Sequence, residues 1–169
     1  MKYAVVYWPW MGGGPFKLDD CKKSCERLNE LGAKTKQNGL QLLWHNHDKE
    51  FHEMEDGLPF DYLMKNTDSK LVQCEMDIYW VNAANEDPIS WLKKYPNRFK
   101  LCHVKDLAKT ANNGHESCVL GTGIIDFKKV LKAGATYGLE TFFVEQEAFT
   151  GTNPIDAAGL DAKYMQKNF

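Results

Sequence analysis

Leu71-Val72-Gln73-Cys74-Glu75-Met76-Asp77 is the stretch that decides the fold, a short apolar run that ends in two acidic residues. Three further apolar runs end in residue types that bind metals or transfer protons: Leu40–Trp44 before His45-Asn46-His47, Phe99–Cys102 before His103-Val104-Lys105, and Thr141–Val144 before Glu145-Gln146-Glu147. Side chains two residues apart on a strand point to the same face, so each run presents a pair in one direction. The repetition predicts one shared site at the rim where the carboxyl ends of parallel strands meet.

Strands and helices alternate along the chain. The predicted strands are Lys2–Trp10, Leu40–Asn46, Leu71–Tyr79, Arg98–Val104 and Leu139–Glu145. Helical spacing with Gly and Pro boundaries predicts helices at Lys17–Asn38, Phe60–Asn66, Pro88–Tyr95, Asp126–Tyr137 and Ala157–Asn168, and a polar loop at Asp106–Ser117. This order predicts a single α/β domain over residues 1–169 with a parallel sheet. A complete TIM barrel has eight such units, so these five form either an open five-stranded parallel sheet or a partial TIM barrel.

The composition excludes several classes of function. A net charge of −2 gives no basic surface for nucleic acid, and no apolar run approaches the roughly 20 residues that cross a membrane. The N-terminal apolar stretch is too short for a signal peptide and is predicted to be a strand. The five cysteines are odd in number and too sparse for a disulfide scaffold. We therefore expect free thiols and a cytoplasmic location.

Several segments resemble the motifs of one family. Trp44–Phe51 resembles the YHNHxxEF signature of the sugar phosphate isomerase/epimerase family, which lies in the xylose isomerase-like TIM-barrel superfamily. Glu75–Trp80 resembles its xLDxYW strand, and Tyr95–Asp106 resembles its PgRf-x-x-xHxKD strand. Leu120–Phe127 resembles its lGxGxidf turn, and Val144–Glu147 resembles its terminal vExD strand. The resemblance covers most of the chain, and the motifs follow the family's order and spacing.

The resemblance implies a partial barrel. The five β/α units correspond to strands four to eight of the family's eight-stranded barrel, and the first three units are missing. Such a sheet has two unpaired edges, which favour association with another strand. We therefore expect a homo-oligomer or a partner chain that completes the barrel.

The resemblance also implies a divalent metal. Its ligands would be Asp77, His103 and Glu145. Carboxylate and imidazole groups of this kind suit Mn²⁺, Mg²⁺, Co²⁺ or Zn²⁺. Related epimerases have a glutamate on the strand that here carries two histidines, so the fourth ligand stays open between His45, His47 and Glu50, and His47 is the residue we choose.

The implied reaction is the isomerisation or epimerisation of a small-molecule sugar or sugar phosphate. The metal would polarise a carbonyl, and a base would remove the adjacent proton to give an enediolate. Glu145 is the predicted base, His47 the predicted acid, and Lys105 would stabilise an oxyanion. The remaining predicted substrate contacts are His45, Glu50, Trp80 and Trp10.

Alternative functions and structural roles remain open at this stage. The chain could be a metal-dependent lyase or hydrolase of the same superfamily, or a non-catalytic or incomplete barrel fragment that needs a partner chain. Lys105 could form an ion pair with Glu75, Asp77 or Glu147, and Glu75 is expected to form a buried pair. Gly121-Thr122-Gly123 could hold a phosphate or only reverse the chain.

Overall fold

The computed structural model describes residues 1–7, 15–109 and 116–169 of the chain. Trp10, which the sequence analysis assigns to substrate binding, lies outside the described residues. The sheet strands are β1 (Tyr3–Val6), β2 (Gln41–His45), β3 (Val72–Asp77), β4 (Phe99–Val104) and β7 (Thr141–Val144). Two further strands, β5 (Asp106–Leu107) and β6 (Ser117–Cys118), form an antiparallel ribbon. The helices are α1 (Leu18–Gln37), α2 (Pro59–Asn66), α3 (Ile78–Ala83), α4 (Pro88–Lys94), α5 (Phe127–Thr136) and α6 (Pro154–Asn168).

The main sheet has five parallel strands in the order β1-β2-β3-β4-β7. The sheet curls so far that Lys2, just before β1, forms an ion pair of 2.6 Å with Glu140, just before β7. Parallel strands with crossover helices on the convex face produce this curvature in barrels. The fold is therefore an α/β half-barrel, and the predicted partial TIM barrel is confirmed.

The register between β3 and β4 shifts by one residue. Lys100 is an extra residue on β4, and Glu75 consequently pairs with Leu101. A bulge of this kind changes the direction in which the following side chains point. The shift places Asp77 beside His103, whereas an unbroken register would place Asp77 beside the residue that precedes this histidine.

Helix α1 shows why the helices pack closely on the sheet. Cys21, Cys25 and Leu28 recur at helical spacing and are buried, which gives the helix one apolar stripe. Gly32 continues the stripe, and a Cβ atom there would lie 2.7 Å from the carbonyl oxygen of Leu71. Glycine is therefore required for α1 to approach the start of β3 this closely.

Aromatic side chains fill the layer between the sheet and its helices. The ring of Phe60 lies 5.1 Å from that of Trp44, 4.9 Å from that of Trp91 and 6.1 Å from that of Phe99. All four side chains are at least 96% buried. Burial of each large apolar side chain contributes roughly 1.5–3 kcal/mol, so this cluster stabilises the convex side of the sheet on which the site depends.

The segment after β3 differs from the sequence-based expectation. We predicted a strand through Tyr79, but the strand ends at Asp77 and residues Ile78–Ala83 form α3. Asp77 caps this helix, because its Oδ1 accepts a hydrogen bond of 3.2 Å from the backbone N–H of Trp80. The cap and the burial of Val81 override the strand preference of these aromatic and β-branched residues.

A buried carboxylate organises the loop that follows β4. The predicted loop Asp106–Ser117 begins and ends in the β5–β6 ribbon, and residues 110–115 lie outside the described part of the chain. Asp106 accepts hydrogen bonds of 2.9–3.2 Å from the backbone N–H groups of Leu107, Gly121, Gly123 and Ile125. Its carboxylate takes the donors that a phosphate would need, so the Gly121-Thr122-Gly123 turn serves as a chain reversal.

The strands at the two edges of the sheet leave apolar side chains exposed. On β7, Phe142, Phe143 and Val144 are 41%, 49% and 42% exposed, and Val5 on β1 is 40% exposed. Exposed apolar surface on an edge strand favours pairing with another chain. Among the described helices, none combines the length and apolar character needed to cross a membrane.

We predict that Asp106→Ala lowers the free energy of unfolding by about 3 kcal/mol or more. Each buried donor that loses its acceptor costs about 1–3 kcal/mol, and four backbone N–H groups lose theirs. Urea denaturation followed by circular dichroism measures this loss. Asp126→Ala is the control, since it removes an exposed cap of α5 and an exposed ion pair with Lys129 and should cost much less. An Asp106→Ala loss no larger than that of the control would contradict the prediction.

Candidate functional site

The parallel register brings acidic and imidazole side chains together on the concave face. His45 on β2 pairs with Glu75 on β3, and Asp77 on β3 pairs with His103 on β4. Glu145 follows β7, and its Oε2 lies 3.1 Å from Nδ1 of His103. Five side chains from four strands therefore meet at one rim, where parallel α/β folds usually hold their sites.

Glu75 lies at the base of this cluster. Its Oε2 is 3.0 Å from Nδ1 of His45 and 3.6 Å from Nε2 of His103. The Glu75 side chain is 6% exposed, whereas that of Glu145 is 36% exposed. The expected buried pairing of Glu75 is therefore present, with two imidazoles as its partners.

Asp77 is the most deeply buried of the three carboxylates around His103. Its side chain is fully buried, and its Oδ2 accepts no hydrogen bond from any described residue. Nε2 of His45 and Nδ1 of His103 each lie 3.7 Å from this oxygen. A buried carboxylate oxygen that accepts no hydrogen bond costs free energy, and a bound ion is one of the standard explanations for it.

Asn46 fixes the loop after β2 against the end of β3. Its Oδ1 accepts a hydrogen bond of 3.0 Å from the backbone N–H of Asp77, and its Nδ2 donates one of 3.3 Å to the carbonyl oxygen of Asp77. The two bonds continue the pairing of the strands beyond the regular ladder. The sequence analysis assigned roles to the histidines on both sides of Asn46 but none to Asn46 itself. Its position between two site histidines was the available sequence signal.

The spacing of the donor atoms fits a divalent cation. Donor atoms of Asp77, His103 and Glu145 all lie within 4.8 Å of one another, and so do those of His45, Glu75 and His103. Two ligands at about 2.1 Å from one metal are roughly 3.0–3.4 Å apart. The 3.1 Å and 3.7 Å separations around Nδ1 of His103 are close to this spacing. The first group combines two carboxylates with one imidazole and the second combines one carboxylate with two imidazoles, and such cations accept both kinds of donor.

The carboxylates control the protonation of His103. Burial alone would lower the pKa of His103, but its interactions with Asp77 and Glu145, with the charge of Glu75, raise it to about 10. The contact with His103, assisted by the charge of Lys105, lowers the pKa of Glu145 to about 2. Without a cation at neutral pH, His103 therefore holds a proton and Glu145 is ionised.

Lys105 brings a buried positive charge to the same rim. Its side chain is fully buried, and its Nζ lies 3.4 Å from Glu145 and forms an ion pair with Glu147. The ammonium group also lies 4.6 Å from the ring centre of Tyr79 and 5.0 Å from that of Trp80. The sequence analysis considered Glu75, Asp77 and Glu147 as ion-pair partners of Lys105. The structure shows the ion pair with Glu147 and a second ion pair, with Glu145.

His47 and Glu50 lie at the edge of the cluster. The ring of His47 lies 5.0 Å from that of His45 and 5.7 Å from that of Trp80. Burial lowers the pKa of His47 below its usual 6.5. Glu50 is fully buried, its carboxylate accepts the backbone N–H of His47 at 3.1 Å, and burial raises its pKa to about 8. This environment suits a structural role for Glu50 better than substrate contact.

The chain belongs to the xylose isomerase-like TIM barrel family, whose model matches residues 3–168. It is 30% identical over 165 residues to an inosose dehydratase of Clostridium perfringens, which covers 88% of this chain. It is 33% identical over 168 residues to an inosose dehydratase of Clostridium beijerinckii, which covers 90%. A sugar phosphate isomerase/epimerase structure from Parabacteroides distasonis matches 98% of the chain with a TM-score of 0.84 and 28% identity.

The matched proteins are longer than this chain. It spans 55% of the Clostridium perfringens relative and 56% of the Clostridium beijerinckii relative. It covers 57% of the Parabacteroides distasonis structure. The comparisons therefore establish the family and the sugar-processing class of its members, while the activity of the complete enzymes belongs to those proteins.

We predict that the affinity for Mn²⁺ rises about tenfold per pH unit between pH 6.5 and 8. With its pKa raised to about 10, His103 is protonated throughout this range, so binding must displace one proton. Calorimetric titration in two buffers of different ionisation enthalpy counts that proton. The variant His103→Gln has no such proton and should show a flatter, weaker profile. A wild-type affinity that does not change with pH would contradict the assignment.

Proposed function

We propose that this chain carries the metal-binding rim of an enzyme that removes a proton next to a carbonyl of a sugar or related polyol. The reaction class is that of an isomerase, an epimerase or a related lyase. The observation that carries the proposal is the Oδ2 of the buried Asp77, which accepts no hydrogen bond and faces ring nitrogens of His45 and His103. Membership of the family supports the substrate class.

We propose His45, Asp77, His103 and Glu145 as the metal ligands. His45 replaces our earlier choice of His47, because Nε2 of His45 lies 3.7 Å from Oδ2 of Asp77. Two imidazoles in the set favour Mn²⁺, Co²⁺ or Zn²⁺ over Mg²⁺. When bound, such a cation would polarise a carbonyl and make the adjacent C–H group more acidic.

His47 is the group that we propose moves the proton. Its pKa is lowered by burial, so its imidazole is neutral at neutral pH and can accept a proton. Glu145, our sequence-based choice of base, has a pKa of about 2 and is therefore a weak base in this setting. Its role as a ligand suits its charge better. The neighbouring ring of Trp80 offers an apolar face on which a sugar can stack.

Lys105 supplies the positive charge for the oxygen that becomes negative during proton removal. Its ammonium group is buried between two aromatic rings and two carboxylates, so it is held in one place. A fixed charge in a site that excludes water stabilises a developing oxyanion more than a mobile one in solvent. Lys105 also keeps Glu145 ionised, which favours cation binding.

A dehydratase reaction is the second candidate, and the names of the curated relatives favour it. It begins with the same proton removal. The carbon next to the resulting carbanion then loses its hydroxyl group, so that a C=C bond and one water molecule form. An isomerase or epimerase instead returns the proton to carbon. Ultraviolet absorption of a conjugated enone distinguishes the dehydratase from the other two.

We also propose that the 169-residue chain associates through its sheet edges, either with a second copy or with a chain that completes the barrel. Exposed apolar side chains on both faces of β7 support this proposal. All five cysteines are free thiols, which supports the proposed cytoplasmic setting.

We predict that His47→Gln lowers the rate of solvent exchange of a substrate α-proton by about 100-fold or more while leaving Mn²⁺ binding within about threefold. Deuterium uptake by inososes and ketoses, followed by NMR, measures the exchange. His52→Gln is a matched control, since His52 lies on the same loop with its side chain 64% exposed. Equal loss of exchange and metal binding in His47→Gln would place His47 among the ligands instead.

We predict that the wild-type chain forms dimers or larger species at micromolar concentration, and that Phe142→Glu shifts it toward monomers. A charge on the exposed face of β7 opposes burial of that face. Ile155→Glu is the control, because Ile155 is 84% exposed on α6 and should not alter association. Sedimentation velocity measures the distribution. A wild-type monomer, or equal effects of the two variants, would contradict the edge proposal.

A further inference from the structure

One carboxylate oxygen contacts both imidazoles of the proposed metal site. Oε2 of Glu75 lies 3.0 Å from Nδ1 of His45 and 3.6 Å from Nε2 of His103. The opposite ring nitrogens, Nε2 of His45 and Nδ1 of His103, each lie 3.7 Å from Oδ2 of Asp77. Each ring therefore has the carboxylate of Glu75 at one nitrogen and the carboxylate of Asp77 at the other.

A neutral imidazole has one N–H donor and one nitrogen lone pair. The hydrogen-bond partner of one ring nitrogen decides whether the other nitrogen carries the proton or the lone pair. A carboxylate that faces one nitrogen favours the proton there. Glu75 therefore favours a proton on Nδ1 of His45. On His103 it favours a proton on Nε2 once a cation has displaced the proton that Nδ1 shares with Glu145. The lone pairs that remain lie on the nitrogens beside Asp77, where a cation would be held.

We propose that Glu75 is a positioning residue that sets the tautomer and ring orientation of both His45 and His103. This inference rests on the proposed metal site and adds a carboxylate behind it. Carboxylates that accept the second ring N–H of a metal-binding histidine fix the ring and raise its basicity, and their loss weakens metal binding about 10–100-fold. Here a single residue serves two histidines on two different strands.

The ring nitrogens that Glu75 faces, and its place on β3, separate this role from that of a direct ligand. Glu75 lies one inward position deeper than Asp77 on β3, and its side chain is 6% exposed. Glu145 contacts the same histidine from the open side, with 36% of its side chain exposed. If Glu75 were a ligand, His103 would have to use Nε2 and would turn its lone pair away from both Asp77 and Glu145.

The test compares three variants by calorimetric titration with Mn²⁺. Glu75→Gln keeps the shape and removes the charge, and it should weaken binding about 10–100-fold. Asp77→Asn should weaken binding by more than that, because it changes a ligand. Asp161→Asn is the matched control, because Asp161 is a buried acid outside the cluster that accepts the backbone N–H of Leu120, and this variant should bind Mn²⁺ like wild type.

A second measurement requires no variant. Long-range ¹H–¹⁵N correlation of the Zn²⁺-loaded wild-type chain reads the protonated nitrogen of each ring. We expect the proton on Nδ1 of His45 and on Nε2 of His103, with the metal on the opposite nitrogens. Metal on the nitrogen that faces Glu75 in either ring would overturn the inference, and so would wild-type affinity in Glu75→Gln.

The outcomes also separate this inference from the proposed function. Wild-type Mn²⁺ affinity in Asp77→Asn would refute the metal site itself. A large loss in Asp77→Asn together with no loss in Glu75→Gln would retain the metal site and refute only the role of Glu75.

Discussion

The one-residue register shift between β3 and β4 is the constraint on which the site depends. Side chains on a strand alternate between faces, so a partner strand that is out of phase presents the wrong face. The extra residue Lys100 restores the phase and sets Asp77 beside His103. Without it, the proposed cation position would lose one of its two imidazoles. Bulges near active sites commonly serve to re-aim a side chain in this way.

The cluster that results is rich in carboxylates. Three carboxylates, of Glu75, Asp77 and Glu145, surround His103, and the buried Lys105 compensates part of their charge. One oxygen of Asp77 is left without a hydrogen-bond partner in the described structure. Functional sites characteristically keep such a local cost, whereas structural ion pairs remove it.

Sequence patterns predicted the order of the elements and the residue types at the rim. Alternation of apolar runs with helical segments indicated a parallel α/β sheet, because only a few topologies fit it. The pattern alone left an open sheet and a partial barrel as alternatives, and the family resemblance favoured the barrel. The pairs at two-residue spacing correctly brought Asp77, His103 and Glu145 together. The helix at Ile78–Ala83 was missed because its residues favour strands locally, and the cap from Asp77 is a tertiary consequence of where β3 ends.

Other features depend on contacts that no local pattern reports. The choice of His45 over His47 as the proposed fourth ligand follows from the position of the His45 ring between Glu75 and Asp77 on the neighbouring strand. The role of Asn46 depends on the position of the next strand. The bulge at Lys100 has no sequence signal that we recognise. Trp10 stays a prediction, since it lies outside the described residues.

Anomalous diffraction from crystals grown with Mn²⁺ tests the central claim most directly, because it locates the cation without reference to activity. The account predicts a single peak within about 2.4 Å of Nε2 of His45, Oδ2 of Asp77, Nδ1 of His103 and a carboxylate oxygen of Glu145. Glu75 should remain outside the coordination shell, in contact with the two distal ring nitrogens. A peak bound by His47 or Glu75, or no peak at this rim in a folded chain, would contradict it.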